Sequence, residues 1–233
     1  MFGYRTILVA MVLLTAIPIA RAADEEGFVP MFNGKDLTGW EGKTGGWWVE
    51  DGAITSQSTK EKPCLKCHYL YWQGGEPADF VLRFKYKLIG GNSGLQFRSE
   101  RRPNYDTWGY QADMEAGTQW TGCLFQHERG GVVMRGKRAV IAEDGQRQEE
   151  EFAVGSDLQK LVKPDDWNDY EVVAEGNHIT LRINGALMCE VDDRDTKLAC
   201  HKGIIALQMH PGPPMKVQFK NLRIKVLSPL DQS

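Results

Sequence analysis

Three polar side chains in the segment GYQADMEAG have the types and the spacing of groups that transfer protons. Gln111, Asp113 and Glu115 occupy alternate positions, so in a β-strand they share one face, with neighbours roughly 7 Å apart. Two carboxylates this close disfavour joint ionisation, and one of them can keep its proton near neutral pH. The spacing therefore predicts general acid–base chemistry, and a solvated polar strand face is the alternative interpretation.

Two further strand-like segments carry polar residues in the same alternating way. ALQMHPGPPM has Gln208 and His210 on one face, and GLQFRSE has Gln96 and Arg98 on one face. Amides and guanidinium groups bind sugar hydroxyls and carboxylates. Aromatic rings can stack on a sugar, and three tryptophans lie near these polar strands: Trp72, Trp108 and Trp120.

A C-x-x-C-H motif formed by Cys64, Cys67 and His68 matches the attachment site of a c-type haem. Such motifs usually open a helix, whereas this one enters the strand-like segment HYLYW, so we do not expect covalent haem. A Cys64–Cys67 disulfide is the interpretation we favour. Bridges that involve other cysteines remain open, with Cys189 and Cys200 as candidates, and so does a zinc site that uses His68.

The N-terminus has the pattern of an export signal. Arg5 precedes the apolar run ILVAMVLLTAIPIA, which is too short to span a membrane, and ARAA supplies small residues for cleavage. We therefore predict a signal peptide over residues 1–22, one domain over residues 23–233, and a periplasmic or secreted protein. A formal net charge of −3 argues against a nucleic-acid partner, and no later segment suggests a membrane span.

The elements that must position the polar residues are β-strands. DFVLRFKYKL alternates apolar and polar residues cleanly, and several later segments do the same. Turn residues separate them, and Asn184-Gly185 is a strong hairpin signal. The best helix candidate is SDLQKLV, with Ser156 as its cap and Pro164 after its end. We predict a β-sandwich of two antiparallel sheets with at most one short helix.

Several motifs, in order along the chain, make it resemble the 3-keto-disaccharide hydrolase domain family. They include GFVPMFNGKDLTGWEG, GGNSGLQFRSE, GYQADMEAG and GIIALQMHPGPPMKVQFKNLRIKVL, within a match from about Gly27 to Leu227. The resemblance implies a concanavalin A-like jelly roll and action on glycosides oxidised to a ketone at C3. Many members carry Glu and Gln where this chain has Gln111 and Asp113, which leaves the division of roles between the carboxylates open.

The ketone implied by the resemblance dictates the chemistry. It acidifies the C2 proton, so the glycosidic bond can break by β-elimination and water can then add across C1–C2. We expect His210 or Asp113 to be the base and Glu115 the acid. We expect Gln96, Arg98, Gln111 and Gln208 to bind the oxyanion and the hydroxyls, with Trp72 stacking on a sugar.

Two points stay open at the level of sequence. No cofactor is certain, and a divalent metal ion at the carboxylates is an alternative means of stabilising the oxyanion. A glycan-binding module without catalysis is the alternative to an enzyme. A carbohydrate is the expected partner in both cases.

Overall fold

The computed structural model describes residues 26–227; the predicted signal peptide lies outside them. Within these residues no helix is long and apolar enough to cross a membrane. Two β-sheets and one short helix account for the regular structure, as the alternation of the sequence predicts.

One sheet has ten strands. Its order is β12, β11, β15, β14, β13, β6, β17, β4 and β3, with β1 paired to β17. The strands are β1 (Val29–Pro30), β3 (Trp48–Glu50), β4 (Ala53–Ser58), β6 (Phe80–Ile89), β11 (Lys137–Ile141), β12 (Arg147–Glu151), β13 (Asn168–Glu175), β14 (His178–Ile183), β15 (Ala186–Asp193) and β17 (Met215–Val226). Its pairs are antiparallel except β11 with β15.

The other sheet has seven strands, in the order β10, β9, β8, β7, β16, β5 and β2. They are β2 (Trp40–Gly42), β5 (His68–Trp72), β7 (Asn92–Arg102), β8 (Asp106–Glu115), β9 (Leu124–Gln126), β10 (Gly130–Val133) and β16 (Ile204–Met209). The strands that carry the predicted site residues are therefore neighbours in this sheet.

The hydrophobic core lies between the two sheets. Alternate residues of β6 are buried, and they pack with inward-facing residues of β7 and β16 such as Leu95, Phe97 and Leu207. Phe84 stacks on Tyr170 with ring centroids 5.2 Å apart. Because apolar residues fill the inner face of the seven-stranded sheet, the polar residues that alternate with them lie on its outer face.

The hairpin turn at Asn184-Gly185 agrees with the sequence-based prediction, whereas the predicted helix cap does not. The hairpin between β14 and β15 turns through Asn184 and Gly185, both with positive φ, 51° and 83°, as predicted. The helix, α1, spans Gly155–Gln159 and has Val154 at its N-cap with no side-chain cap bond. Ser156 lies inside the helix, so its predicted capping role was wrong.

Candidate functional site

A cavity of about 560 Å³ opens on the outer face of the seven-stranded sheet. Its floor comes from adjacent strands that each contribute one to three polar side chains. Six residues that carry the argument line it: Tyr69, Gln111, Asp113, His127, Gln208 and His210. The strand register explains the grouping, because Gln96 pairs with Gln111 and Gln208 pairs with Tyr69.

A directional chain of hydrogen bonds holds Asp113. Ser99 Oγ donates to Gln96 Oε1 at 2.8 Å, and Gln96 Nε2 donates to Gln111 Oε1 at 2.8 Å. Gln111 Nε2 then donates to Asp113 Oδ1 at 2.5 Å. Gln96 is fully buried beneath this row, so its role is to orient Gln111, which in turn fixes the carboxyl group of Asp113.

Glycine at position 94 makes room for this arrangement. Gly94 lies opposite Asp113 in the β7–β8 register. A Cβ at this position would come within 2.5 Å of Gln111 Cδ, which real Cβ contacts do not allow. Position 94 in the NSG segment is therefore occupied by glycine for a steric reason: a larger residue would take the space of the Gln111 amide that binds Asp113.

Burial gives Asp113 unusual acid–base properties. The side chain is 3% exposed, and the loss of water raises the pKa of Asp113 well above its usual value. The hydrogen bond from Gln111 lowers the pKa and the nearby charge of Glu115 raises it, but both effects are smaller than burial. A carboxyl group of this kind is a stronger base than an ordinary aspartate when it is ionised.

A second group of interacting side chains continues from the same Gln111 amide. Gln111 Nε2 also donates to Gln208 Oε1 at 3.3 Å, and Gln208 Nε2 donates to the Tyr69 hydroxyl at 3.0 Å. The Tyr69 oxygen lies 3.5 Å from His127 Nε2. His127 also bonds the backbone of Gly109, and burial lowers the pKa of His127, which favours a neutral imidazole that can accept a hydrogen bond from the Tyr69 hydroxyl.

A family profile described as the 3-keto-alpha-glucoside-1,2-lyase-like domain matches residues 27–225. The match covers nearly every residue of the sandwich and all the strands that line the cavity. The chain belongs to this family. None of the curated proteins matches it.

Solved structures with the same architecture agree with this domain's fold. A candidate glycosyl hydrolase from Parabacteroides distasonis ATCC 8503 has a TM-score of 0.58 at 20% identity, covering 91% of this chain and 99% of its own. The carbohydrate-binding module CBM66 from Bacillus subtilis has a TM-score of 0.54 at 15% identity, covering 82% and 98%. A Bacillus subtilis protein with a galectin-like fold has a TM-score of 0.50 at 10% identity, covering 83% and 92%. These likenesses establish the jelly-roll sandwich.

The lyase-like domain brings together only part of the predicted site. Asp113, His210, Gln111 and Gln208 line the cavity. Glu115 does not: its Oε2 accepts bonds of 3.0 Å from the backbone N–H groups of Gln119 and Trp120. The carboxylate turns toward its own loop because Glu115 is the last residue of β8.

Arg98 and Trp72 also lie elsewhere. Arg98 is 2% exposed and bonds the Asp79 carboxylate and three backbone carbonyls, those of Ala78, Gly176 and Cys200. The β7–β8 register shifts between Phe97 and Glu100, so Arg98 leaves the face that Gln96 occupies. Trp72 packs against the main core, and Trp120 is the tryptophan that lines the cavity.

The predicted disulfides are not formed. All five cysteines are free thiols. Cys67 lines the cavity, where burial raises its pKa to about 11, whereas Cys189 is buried in the core. His68 extends from the other face of β5, where its Nδ1 accepts a bond of 3.2 Å from Trp47 Nε1.

Tyr69 and His127 are among the cavity residues that sequence patterns missed. Tyr69 belongs to HYLYW, a segment that reads as aromatic and apolar, and His127 follows a three-residue strand. The available signal was the alternation of HYLYW, which separates Tyr69 and Tyr71 from His68 and Trp72. No group of three or more metal-ligating side chains occurs within residues 26–227.

Proposed function

We propose that this domain cleaves glycosides whose sugar carries a ketone at C3, by elimination across C1–C2 followed by addition of water. One observation carries the proposal: a buried aspartate, oriented by an amide chain, lines a cavity whose other side chains are of types that commonly bind sugars. The family supports a carbohydrate substrate, and the ketone is what allows a carboxylate to remove a carbon-bound proton.

The proposed reaction begins at C2. Asp113 removes the C2 proton, and the electron pair moves onto the ketone oxygen to give an enediolate. Collapse of the enediolate forms the C1–C2 double bond and breaks the C1–O bond, and the leaving oxygen takes a proton. Addition of water across C1–C2 then gives the free 3-keto sugar. His210 is the second candidate for the base.

The acid in this scheme is Tyr69 rather than Glu115. The Tyr69 hydroxyl lies in the cavity between Gln208 and His127, whereas the Glu115 carboxylate is bound to its own loop. Asn92 and Lys66 also line the cavity and supply donors for the charge that develops on the ketone oxygen. A divalent ion remains an alternative for that task.

The test is turnover of a 3-keto disaccharide, followed by release of the 3-keto sugar and of the second sugar. Asp113→Ala should abolish turnover with an unchanged circular dichroism spectrum, and Tyr69→Phe should reduce it strongly. Asp169→Asn, on the opposite sheet, is the matched control. Addition of a chelator tests the metal alternative, and normal turnover by the Asp113 variant would eliminate the proposed site.

A glycan-binding module is the second candidate. Trp120 and Phe125 line the cavity and contact each other edge to face, with centroids 6.0 Å apart. Aromatic rings beside amides are the groups that bind sugars without chemistry. Saturable binding of a disaccharide without any turnover of its 3-keto form would favour this function over the enzyme.

We also propose that the protein is exported after removal of residues 1–22. The support is the basic, apolar and small-residue order of the N-terminal sequence. Fractionation of expressing cells and N-terminal sequencing of the product test it. A cell-associated protein that retains its first residues would contradict the proposal.

A further inference from the structure

A second cavity, of about 280 Å³, lies at the end of the sandwich where β6 and β8 finish. Leu88 and Ala116 form part of its wall, and α1 and the segment that follows it contribute Gln159, Val162 and Pro164. It is distinct from the cavity that contains Asp113, because the two have no lining residue in common. The proposed reaction makes no use of it.

Two buried polar atoms of this cavity have no hydrogen-bond partner among the protein atoms of residues 26–227. They are the Tyr86 hydroxyl and Gln159 Oε1, and Tyr86 is only 3% exposed. A buried polar atom without a partner is costly, and native proteins rarely keep one without a reason. Packing does not supply the reason, since phenylalanine would fill the same place beside the Tyr170 ring, 5.8 Å away.

The polar atoms around the cavity define which ligand groups could form hydrogen bonds there. Burial raises the pKa of Tyr86, so its hydroxyl is neutral and can donate or accept a bond. Gln159 Oε1 can only accept, and its amide nitrogen is 3.5 Å from the Gly117 carbonyl oxygen. Glu115 and Asp165 line the cavity together with Lys163, so its charged residues carry a net negative charge, which disfavours an anionic ligand.

A ligand hydroxyl matches this set, because one O–H group can accept from Tyr86 and donate to Gln159 or Glu115. Within the described residues no cluster of side chains suits a metal ion. The volume of 280 Å³ far exceeds the share of one water molecule, about 30 Å³, and lies near the lower limit of small-ligand sites.

We propose that this cavity is a second ligand site, which binds a polyhydroxylated molecule of monosaccharide size through Tyr86, Gln159 and Glu115. The apolar wall would contact the carbon face of the ring while the three polar groups bind its hydroxyls. The site adjoins the Asp113 cavity through Glu115, because the carboxylate that lines it also binds the backbone N–H of Trp120, whose side chain lines the other cavity.

The test uses D-glucose and myo-inositol as probes of the purified protein with ¹³Cζ-labelled tyrosine. Tyr86→Phe assigns the Tyr86 signal and breaks no hydrogen bond among the described residues, so the variant should fold. We expect at least one probe to shift the Tyr86 signal saturably. Calorimetry should show about five- to tenfold weaker binding of that probe to Tyr86→Phe, as the loss of one neutral hydrogen bond implies.

Gln208→Ala is the control that separates the two cavities. Binding that survives Gln208→Ala and weakens with Tyr86→Phe supports the second site whether or not the domain cleaves 3-keto glycosides. A Tyr86 signal that neither probe moves would overturn the proposal. So would binding that Gln208→Ala abolishes and Tyr86→Phe leaves unchanged, since the ligand would then occupy the Asp113 cavity.

Discussion

The carboxyl group of Asp113 occupies a position that disfavours its charged form. Burial raises its pKa in the folded protein above the usual value of 3.8, so the folded protein holds this proton more tightly than the unfolded chain does. The stability that this proton contributes is therefore present at low pH and is lost as the pH rises from about 4 through the folded pKa. Because burial of this ionisable carboxyl group costs stability at neutral pH, its presence points to a functional role.

Asp113→Asn should stabilise the domain while removing its activity. The asparagine Oδ1 can still accept the bond from Gln111, and no charge is buried. At about pH 8 we expect the variant to melt at a higher temperature than the wild type, with a free energy of unfolding larger by roughly 1–3 kcal/mol. This gain should shrink as the pH falls toward 4. Thermal unfolding across this range, with Asp169→Asn as the control, checks the sign; equal stability at both ends would contradict it.

Gly94→Ala tests whether the amide chain positions Asp113. The new Cβ would come within 2.5 Å of Gln111 Cδ, so Gln111 must move and release the carboxyl group. We expect kcat/KM on a 3-keto disaccharide to fall roughly 10- to 100-fold, as a loss of about 1–3 kcal/mol implies. In the double variant Gly94→Ala/Gln111→Ala the clash is absent. The losses of kcat/KM caused by the two single substitutions should therefore not add, and full additivity would refute the mechanism.

At the scale of elements, the bulge of β7 gives Arg98 a structural task. The backbone there has a positive φ of 46°, and the side chain crosses to Asp79 and to the carbonyls of neighbouring loops. The ion pair is almost fully enclosed on the arginine side, with 1% side-chain exposure. Removing one partner of such a pair leaves the other charge buried and uncompensated.

Arg98→Met should therefore destabilise the domain by about 3–5 kcal/mol. Arg101→Met is the matched control on the same strand: its ion pair with Glu41 is exposed, with side-chain exposures of 40% and 51%, so its loss should cost less than about 1 kcal/mol. Urea unfolding measures both. A stable Arg98→Met variant that had lost only turnover would restore the substrate-binding role expected from the sequence.

The protonation state of His68 on β5 makes the stability of the domain depend on pH. Burial lowers its pKa from 6.5 to about 4, so the neutral ring that accepts the Trp47 bond is the folded form. The stability it contributes is present above 6.5 and is lost as the pH falls through the folded pKa.

His68→Gln should weaken this acid sensitivity because glutamine can accept the Trp47 bond without titrating. We expect the loss of stability between about pH 7 and about pH 5 to shrink by roughly 1–2 kcal/mol, a value reduced for partial exposure. Urea unfolding at the two pH values provides the measurement. Some dependence will persist, since burial also lowers the pKa of His127; an unchanged dependence would contradict the assignment.

At the scale of the whole molecule, periodicity was sufficient for the sandwich and for the faces of regular strands. Alternation correctly separated Gln208 and His210 from the core, and it grouped Gln111 with Asp113. It failed where the backbone departs from regular geometry: Arg98 lies in a bulge, and Glu115 ends its strand. The partnership of Tyr69 with His127 depends on contacts between distant strands, which local patterns do not encode.

The C-x-x-C-H motif is a final case in which the tertiary structure decides what a motif can do. Covalent haem attachment needs both thiols to reach the vinyl groups of one porphyrin while the histidine ligates its iron. Here Cys67 lines the cavity, whereas His68 extends from the opposite face of β5 and bonds Trp47. We therefore expect the protein from an export-competent host with haem-attachment machinery to show no Soret band. Under denaturing conditions without reductant, thiol titration should count all five cysteines as free, and a count of three would instead favour the Cys64–Cys67 bridge.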